Sequence, residues 1–106
     1  MKYEIVGENF PAVRCHLVQG ESMKCEGGSM AWMDDEITMK TEGGGGIGKA
    51  FGRMFSGESI FFNHYTCEGS EGEVVFSSSY PGKIVPIELH AGQSIIAQKH
   101  AFLAAT

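Results

Sequence analysis

The sequence predicts an all-β domain, an antiparallel β-sandwich assembled from three related β units. Glycine supplies 15 of the 106 residues and proline 3, and their clusters cut the chain into short pieces. The pieces between the cuts alternate polar with apolar residues or are rich in β-branched and aromatic side chains, which is typical of strands. Evidence for helix is confined to residues 49–55, where Gly52 weakens it.

The strand-like pieces follow one another at short intervals along the chain. Turn signals separate several of them: a glycine pair at 27–28, an aspartate pair at 34–35, and the run 69–72. We interpret the first as a turn and the second as a solvated hairpin turn. The β-like segments are residues 14–18, 22–26, 30–33, 36–41, 59–67, 73–77, 84–89, 94–98 and 101–104.

A short motif, Gly-(Glu/Gln)-Ser followed by an apolar residue, occurs three times. The copies begin at residues 20, 57 and 92, so they lie 37 and 35 residues apart. A β-turn containing glycine, followed by a new strand, explains the pattern. The third unit is short and leaves a strand edge unpaired, so either another subunit covers that edge or the chain is a piece of something longer. The motif residues are Gly20, Glu21, Ser22, Gly57, Glu58, Ser59, Gly92 and Ser94.

Length and charge limit the range of functions. The 106 residues fit one domain, 1–106, and exclude a large multidomain enzyme. Eight basic and 13 acidic residues give a formal charge of −5. An acidic domain repels phosphate, so we expect neither nucleic acid nor an anionic membrane as a partner.

Cysteine usage and the N-terminus indicate a cytoplasmic protein. Three cysteines without a C-x-x-C motif indicate reduced thiols rather than a disulfide framework or a zinc knuckle. The first seven residues alternate in polarity and lack the apolar core of a signal peptide. No apolar run approaches the ~20 residues that cross a bilayer.

Each candidate chemical motif has a simpler structural explanation. The run 43–49 resembles a phosphate-binding loop, but Ala50 stands where that loop needs Ser or Thr, so a flexible connection is favoured. Cys25 or Cys67 beside a histidine could form a nucleophile pair, yet a free cysteine usually packs as a small hydrophobe. Residues 34–36 are acidic but lack the ligand spacing of a calcium loop. We predict no catalytic residue, no metal site and no cofactor.

The four histidines suggest a cupin-like metal centre only weakly. Such a centre needs a His-x-His pair, and the sequence contains none. We therefore expect surface or hydrogen-bonded structural histidines. They are His16, His64, His90 and His100.

Aromatic and methionine side chains supply a candidate interface. Strict alternation would place Met30 and Trp32 on one face of their strand, and Ala31 and Met33 on the other. Aromatic residues and methionine are enriched at interface cores, although packing inside the sandwich explains them as well. The candidate interface residues are Trp32, Met30, Phe61 and Phe102.

The ordered motifs resemble those of the altered-inheritance-of-mitochondria family, a mitochondrial-biogenesis group with bacterial and archaeal members. They cover most of the chain, from about Phe10 to Ala104, and comprise residues 20–33, 43–48, 57–62, 81–87 and 98–104. One departure is His100-Ala101, where the family usually has Gly and then a small residue.

The resemblance implies a fold like that of the tryptophan RNA-binding attenuation protein, in the double-stranded β-helix class, and assembly into oligomers. Family members are about twice as long as this chain, so only their first half is matched. The mitochondrial branch is linked to inner-membrane organisation, which suggests a scaffold or binding role.

The function predicted is that of a non-enzymatic, oligomerising β-domain, a scaffold or binding module. We expect a homo-oligomer, with a trimer among the expected stoichiometries. One alternative is a cupin-like β-barrel that binds a small molecule or a metal. Another is RNA binding by analogy of fold, which the negative charge opposes.

Overall fold

The structure, a computed structural model, describes residues 1–42, 62–98 and 101–106. The predicted glycine-rich connection at 43–48 and the motif residues Gly57, Glu58 and Ser59 lie outside the described residues, as do Phe61 and His100.

The described residues form two antiparallel sheets and contain no α-helix, which confirms the all-β prediction. Sheet A has the strand order β1-β2-β7-β4, and sheet B has the order β3-β6-β5. The strands are β1 (Lys2–Val6), β2 (Ala12–Val18), β3 (Ser22–Glu26), β4 (Met30–Met33), β5 (Ile37–Glu42), β6 (Phe62–Cys67) and β7 (Glu71–Ser77).

One apolar layer lies between the two sheets. Along β2 every second side chain is buried, as the alternation of polar and apolar residues requires. In the middle of the layer, Tyr65 of β6 meets Phe76 of β7 edge to face, with ring centroids 5.5 Å apart. The ten buried side chains of this cluster come from both sheets and therefore join them into a sandwich: Val13, Cys15, Leu17, Met23, Cys25, Ile37, Tyr65, Cys67, Val74 and Phe76.

The chain changes sheet at most of its connections. Among the described strands, the consecutive pairs β1–β2 and β5–β6 each lie side by side in one sheet. The connections β2–β3, β3–β4, β4–β5 and β6–β7 each join strands of opposite sheets. The turn predicted at residues 27–28 is present, whereas the hairpin predicted at residues 34–35 is wrong, because β4 and β5 lie in different sheets. Alternation specifies which face of a strand is buried, but a facing sheet satisfies it as well as an adjacent strand does.

A register shift in β4 contradicts the predicted faces of that strand. The pairing with β7 is irregular between Met30 and Trp32, so strict alternation fails there. As a result Met30 and Met33 pack together against the core, whereas Trp32 is 46% exposed. Trp32 pairs with Val75 of β7. Val75 is also buried, but it lies on the outer face of sheet A and does not belong to the core cluster.

The strands predicted at residues 84–89 and 94–98 are absent from the structure. Ile84 packs against the core, and every residue from 85 to 98 is exposed. We call residues 85–98 the arm. Its backbone has no neighbouring strand among the described residues, and without such a partner an apolar sequence cannot form a ladder.

The chain returns to the sandwich after the arm. A single β-bridge joins Ala105 to Lys24 of β3, with N–H···O distances of 2.7 and 2.9 Å. Leu103 and Ala104 pack against the core, and Phe102 meets Phe62 edge to face at 6.5 Å. The predicted segment 101–104 is thus part of the domain, but not as a strand.

Gly72 gives a test of this packing. A Cβ atom there would lie 3.1 Å from Ile37 Cδ1 and 3.2 Å from Glu36 Cβ, where the two sheets approach each other. We expect Gly72→Val to lower the free energy of unfolding by about 1–3 kcal/mol through overpacking, measured by urea denaturation.

The matched control is Gly27→Val, because a Cβ at Gly27 meets nothing within 4 Å. We expect that variant to stay within about 0.5 kcal/mol of the parent. Equal stability of the Gly72 and Gly27 variants would contradict the packing described here.

Candidate functional site

The first glycine motif is a closed β-turn. The Glu21 N–H donates to the Val18 carbonyl at 3.0 Å, and Gly20, the third residue of the turn, has φ +88°. A positive φ at this position requires a residue without a Cβ. The Glu21 carboxylate then accepts a hydrogen bond from the Val18 N–H at 2.9 Å, which closes the turn from its other side.

The third glycine motif has the same geometry. The Gln93 N–H donates to the His90 carbonyl at 2.9 Å, Gly92 has φ +85°, and the His90 N–H donates to Gln93 Oε1 at 2.9 Å. The Glu or Gln of the motif therefore has a definite role, as the acceptor for the first N–H of its own turn.

The two turns differ in what surrounds them. Gly20 donates to the Cys67 carbonyl at 2.9 Å, Gln19 donates to the Ser70 carbonyl at 3.1 Å, and the Cys67 N–H donates to the Glu21 carbonyl at 3.0 Å. These bonds attach the first turn to the β6–β7 connection, and Ser22 then begins β3. The backbone hydrogen bond of the Gly92 turn is internal to it, and no strand begins at Ser94.

Glu21 also carries an ion pair. The N-terminal ammonium group of Met1 lies 2.9 Å from Glu21 Oε2. The hydrogen bond from the Val18 N–H, and secondarily this ammonium group, lower the pKa of Glu21, because both favour the ionised carboxylate.

The three cysteines are buried in the core as free thiols. Burial, and secondarily the charge of Glu73, raises the pKa of Cys15 to about 11. Burial also raises the pKa of Cys25. Cys67 is 1% exposed and directs its sulfur at the Gly69 carbonyl, 3.5 Å away. A buried thiol of raised pKa forms little thiolate and is a poor nucleophile.

The described histidines lie apart, in different elements. His16 is on the outer face of sheet A, 3.4 Å from the Glu71 carboxylate, while His64 is in β6 and His90 begins the Gly92 turn. Residues 1–42, 62–98 and 101–106 contain no group of three or more His, Cys, Asp or Glu side chains placed to hold a metal ion.

The outer face of sheet A carries charges of both signs. Arg14 donates to the Glu73 carboxylate through Nε and Nη2, and a shallow cleft beside this pair is lined also by Lys2 and Glu4. Asp34, of the predicted acidic turn, accepts a hydrogen bond from the Glu73 N–H at 2.8 Å, and its own N–H donates to the Glu73 carbonyl at 2.9 Å, so it continues the contact between β4 and β7 beyond Met33.

The candidate interface residues are dispersed. Trp32 is exposed on the outer face of sheet A, Met30 packs on the core, and Phe102 is half-buried beside Phe62. The arm, which the sequence predicts as strands, exposes more apolar surface than these candidate residues do. Its exposed aliphatic side chains are Val85, Ile87, Leu89, Ile95 and Ile96, and Ile96 is 99% exposed.

Comparison with known proteins identifies the family. The sequence matches the family described as mitochondrial biogenesis AIM24 over residues 3–106. The chain belongs to this family, as the motif resemblance predicted. No helix in the described residues is long and apolar enough to span a membrane.

Two streptococcal proteins are similar to this AIM24-family chain. An uncharacterised protein of Streptococcus pyogenes serotype M6 is 37% identical over 87 residues, which are 76% of this chain and 35% of that protein. A crystal structure of a Streptococcus pyogenes protein matches with a TM-score of 0.66 and 31% identity, over 85% of this chain and 43% of that one. The chain thus spans less than half the length of either relative.

The buried thiols lead to a labelling prediction. We expect Ellman's reagent to label none of the three cysteines rapidly in the native protein and all of them in denaturant, because Cys15, Cys25 and Cys67 are at most 1% exposed. Fast stoichiometric labelling of one native thiol, located by mass spectrometry, would contradict this arrangement.

The Glu21 turn leads to a pH prediction. The folded-state pKa of Glu21 is lowered, so its contribution to stability is present at neutral pH and is lost as pH falls through the folded pKa. We expect Glu21→Gln to keep the turn bond, as Gln93 does, but to lose this contribution. Its urea midpoint should therefore lie below the parent's at neutral pH and converge with it below about pH 4.

Two further variants separate the hydrogen bond from the charge. Glu21→Ala removes the acceptor, so we expect a lower urea midpoint than for Glu21→Gln at neutral pH. Gln93→Ala removes the matching bond in the arm and should leave the midpoint unchanged. An identical pH profile for the parent and Glu21→Gln would contradict the assignment.

Proposed function

We propose that this AIM24-family domain is a non-enzymatic, oligomerising β-domain that serves as a scaffold or binding module. The arm is the observation that carries the proposal. A soluble domain rarely leaves a contiguous apolar segment in water unless that segment binds something. Here fourteen consecutive residues, 85–98, are exposed, and they include five aliphatic side chains.

The roles of the polar groups support a binding function over a chemical one. Glu21 and Gln93 close turns, Asp34 binds the backbone of β7, and Arg14 pairs with Glu73. Each of these groups has a partner that explains its place in the fold. The free thiols lie in the core, away from any substrate in solvent.

Several finer features belong to the same proposal. The family resemblance supports the double-stranded β-helix class and a fold like that of the tryptophan RNA-binding attenuation protein. We also propose a cytoplasmic location and no nucleic-acid or membrane partner, on the net charge of −5 and the three free thiols.

The proposal is tested by the mass of the protein in solution. We expect size-exclusion chromatography with light scattering to show an oligomer at micromolar concentration, a trimer included, that dissociates on dilution. A monomer at every concentration would contradict the proposal. Elemental analysis of the same sample tests the cupin-like alternative, which predicts metal in stoichiometric amount.

A further inference from the structure

We propose that the arm is exchanged between two copies of the chain. In this arrangement the second limb of the arm, residues 93–98, adds as an antiparallel strand to the free edge of β1 in the other copy. The inference rests on the proposed function, since arm exchange is one specific form of assembly. It adds a donor, an acceptor and a partner, which the proposed function leaves open.

The second limb has the properties of a donor strand. It reads Gln-Ser-Ile-Ile-Ala-Gln, with neither charge nor proline, and all six residues are exposed. The Gln93 N–H and the Gln98 carbonyl are engaged by His90 and Ala101, so the backbone from Ser94 to Ala97 is the part available for a ladder. Ile95 and Ile96 would supply side chains for both faces. The first limb of the arm, residues 85–89, is a poorer donor because Pro86 has no N–H to give to a ladder.

β1 has the properties of an acceptor. It is an edge strand that pairs only with β2 within the described residues. Tyr3 and Ile5 lie opposite Cys15 and Val13, which face the core, so they belong to the inner face of sheet A. They are nevertheless 52% and 36% exposed, so the strands of sheet B that the structure describes do not fully cover this edge of sheet A.

Charge favours a second copy at this site. The chain carries a net charge of −5, so two copies repel over most of their surface. The arm holds one formally charged side chain, Glu88, and β1 holds one of each sign, Lys2 and Glu4. The contact between arm and β1 therefore brings two acidic chains together where few charges meet.

The exposed surface is sufficient for a pair. At roughly 60–120 Å² of apolar surface for each large aliphatic side chain, Ile95 and Ile96 supply about 240–480 Å² for two second limbs, and all five such side chains of the arm supply about 600–1,200 Å² for two arms. Together with the β1 surfaces that they cover, two arms seated along their full length reach the ~1,200–2,000 Å² of a stable interface. Each copy holds one donor limb and one acceptor edge. A dimer with two-fold symmetry therefore uses both donor limbs and both β1 edges, and it leaves none free for a third copy.

The first experiment compares two substitutions on the full chain. Ile96→Lys places a charge on the limb without disturbing the sandwich, because Ile96 is 99% exposed. Val18→Lys is the control, since Val18 is 49% exposed on the outer face of sheet A, opposite to the inner face that holds Tyr3 and Ile5. We expect Ile96→Lys to raise the dissociation constant at least about tenfold by analytical ultracentrifugation, and Val18→Lys to change it less than about threefold.

The second experiment locates the acceptor. Tyr3→Cys and Ile96→Cys chains are mixed and treated with a short bis-maleimide linker, which spares the buried native thiols. We expect a covalent heterodimer joined through the introduced cysteines, as mapped by mass spectrometry. A mixture of Val18→Cys and Ile96→Cys chains should give none.

The outcomes separate this inference from the proposed function. An oligomer that Ile96→Lys leaves intact would overturn arm exchange while assembly itself stands. Loss of the oligomer in Ile96→Lys without a link to Tyr3 would overturn β1 as the acceptor. A wild-type chain that is monomeric at every concentration would overturn both, and would leave the additional polypeptide of longer family members as the partner of the arm.

Discussion

The fold depends on one shared apolar layer that successive strands must reach from opposite sides. After β2 the chain repeatedly leaves one sheet and enters the other, so neighbouring strands in sequence face each other across Tyr65 and Phe76. A reversal of this kind needs a tight corner. Gly20 provides it at φ +88°, and the Glu21 carboxylate satisfies the N–H that the corner exposes.

The corners also stabilise one another. The β2–β3 turn is attached to the β6–β7 connection by the Gly20, Gln19 and Cys67 backbone bonds, so two crossings between the sheets hold each other in place. The same four-residue turn recurs at Gly92 without such a neighbour, and no strand follows it. A turn of good local geometry therefore does not make a β unit; a strand forms only where its two edges or its inner face find a partner.

Periodicity predicted most of the strands and failed where the outcome depends on distant residues. Ser22–Glu26 alternates and does bury Met23 and Cys25, but nothing within it reveals that β6 is its neighbour. The irregularity between Met30 and Trp32 arises from pairing with β7, more than forty residues away. The motif was visible as Gly-(Glu/Gln)-Ser, and the shared acceptor oxygen of Glu and Gln was the available signal for its capping role.

The arm shows why the function of this chain is a question of partners. Residues 84–98 have the composition of strands, yet their side chains beyond Ile84 lie in water. Apolar β-forming sequence is costly to keep exposed unless a surface exists that receives it. Sheet A offers such a surface at β1, where Tyr3 and Ile5 face inward without full cover. Donor and acceptor occur in the same chain, so each of two copies can supply the strand that pairs with β1 of the other.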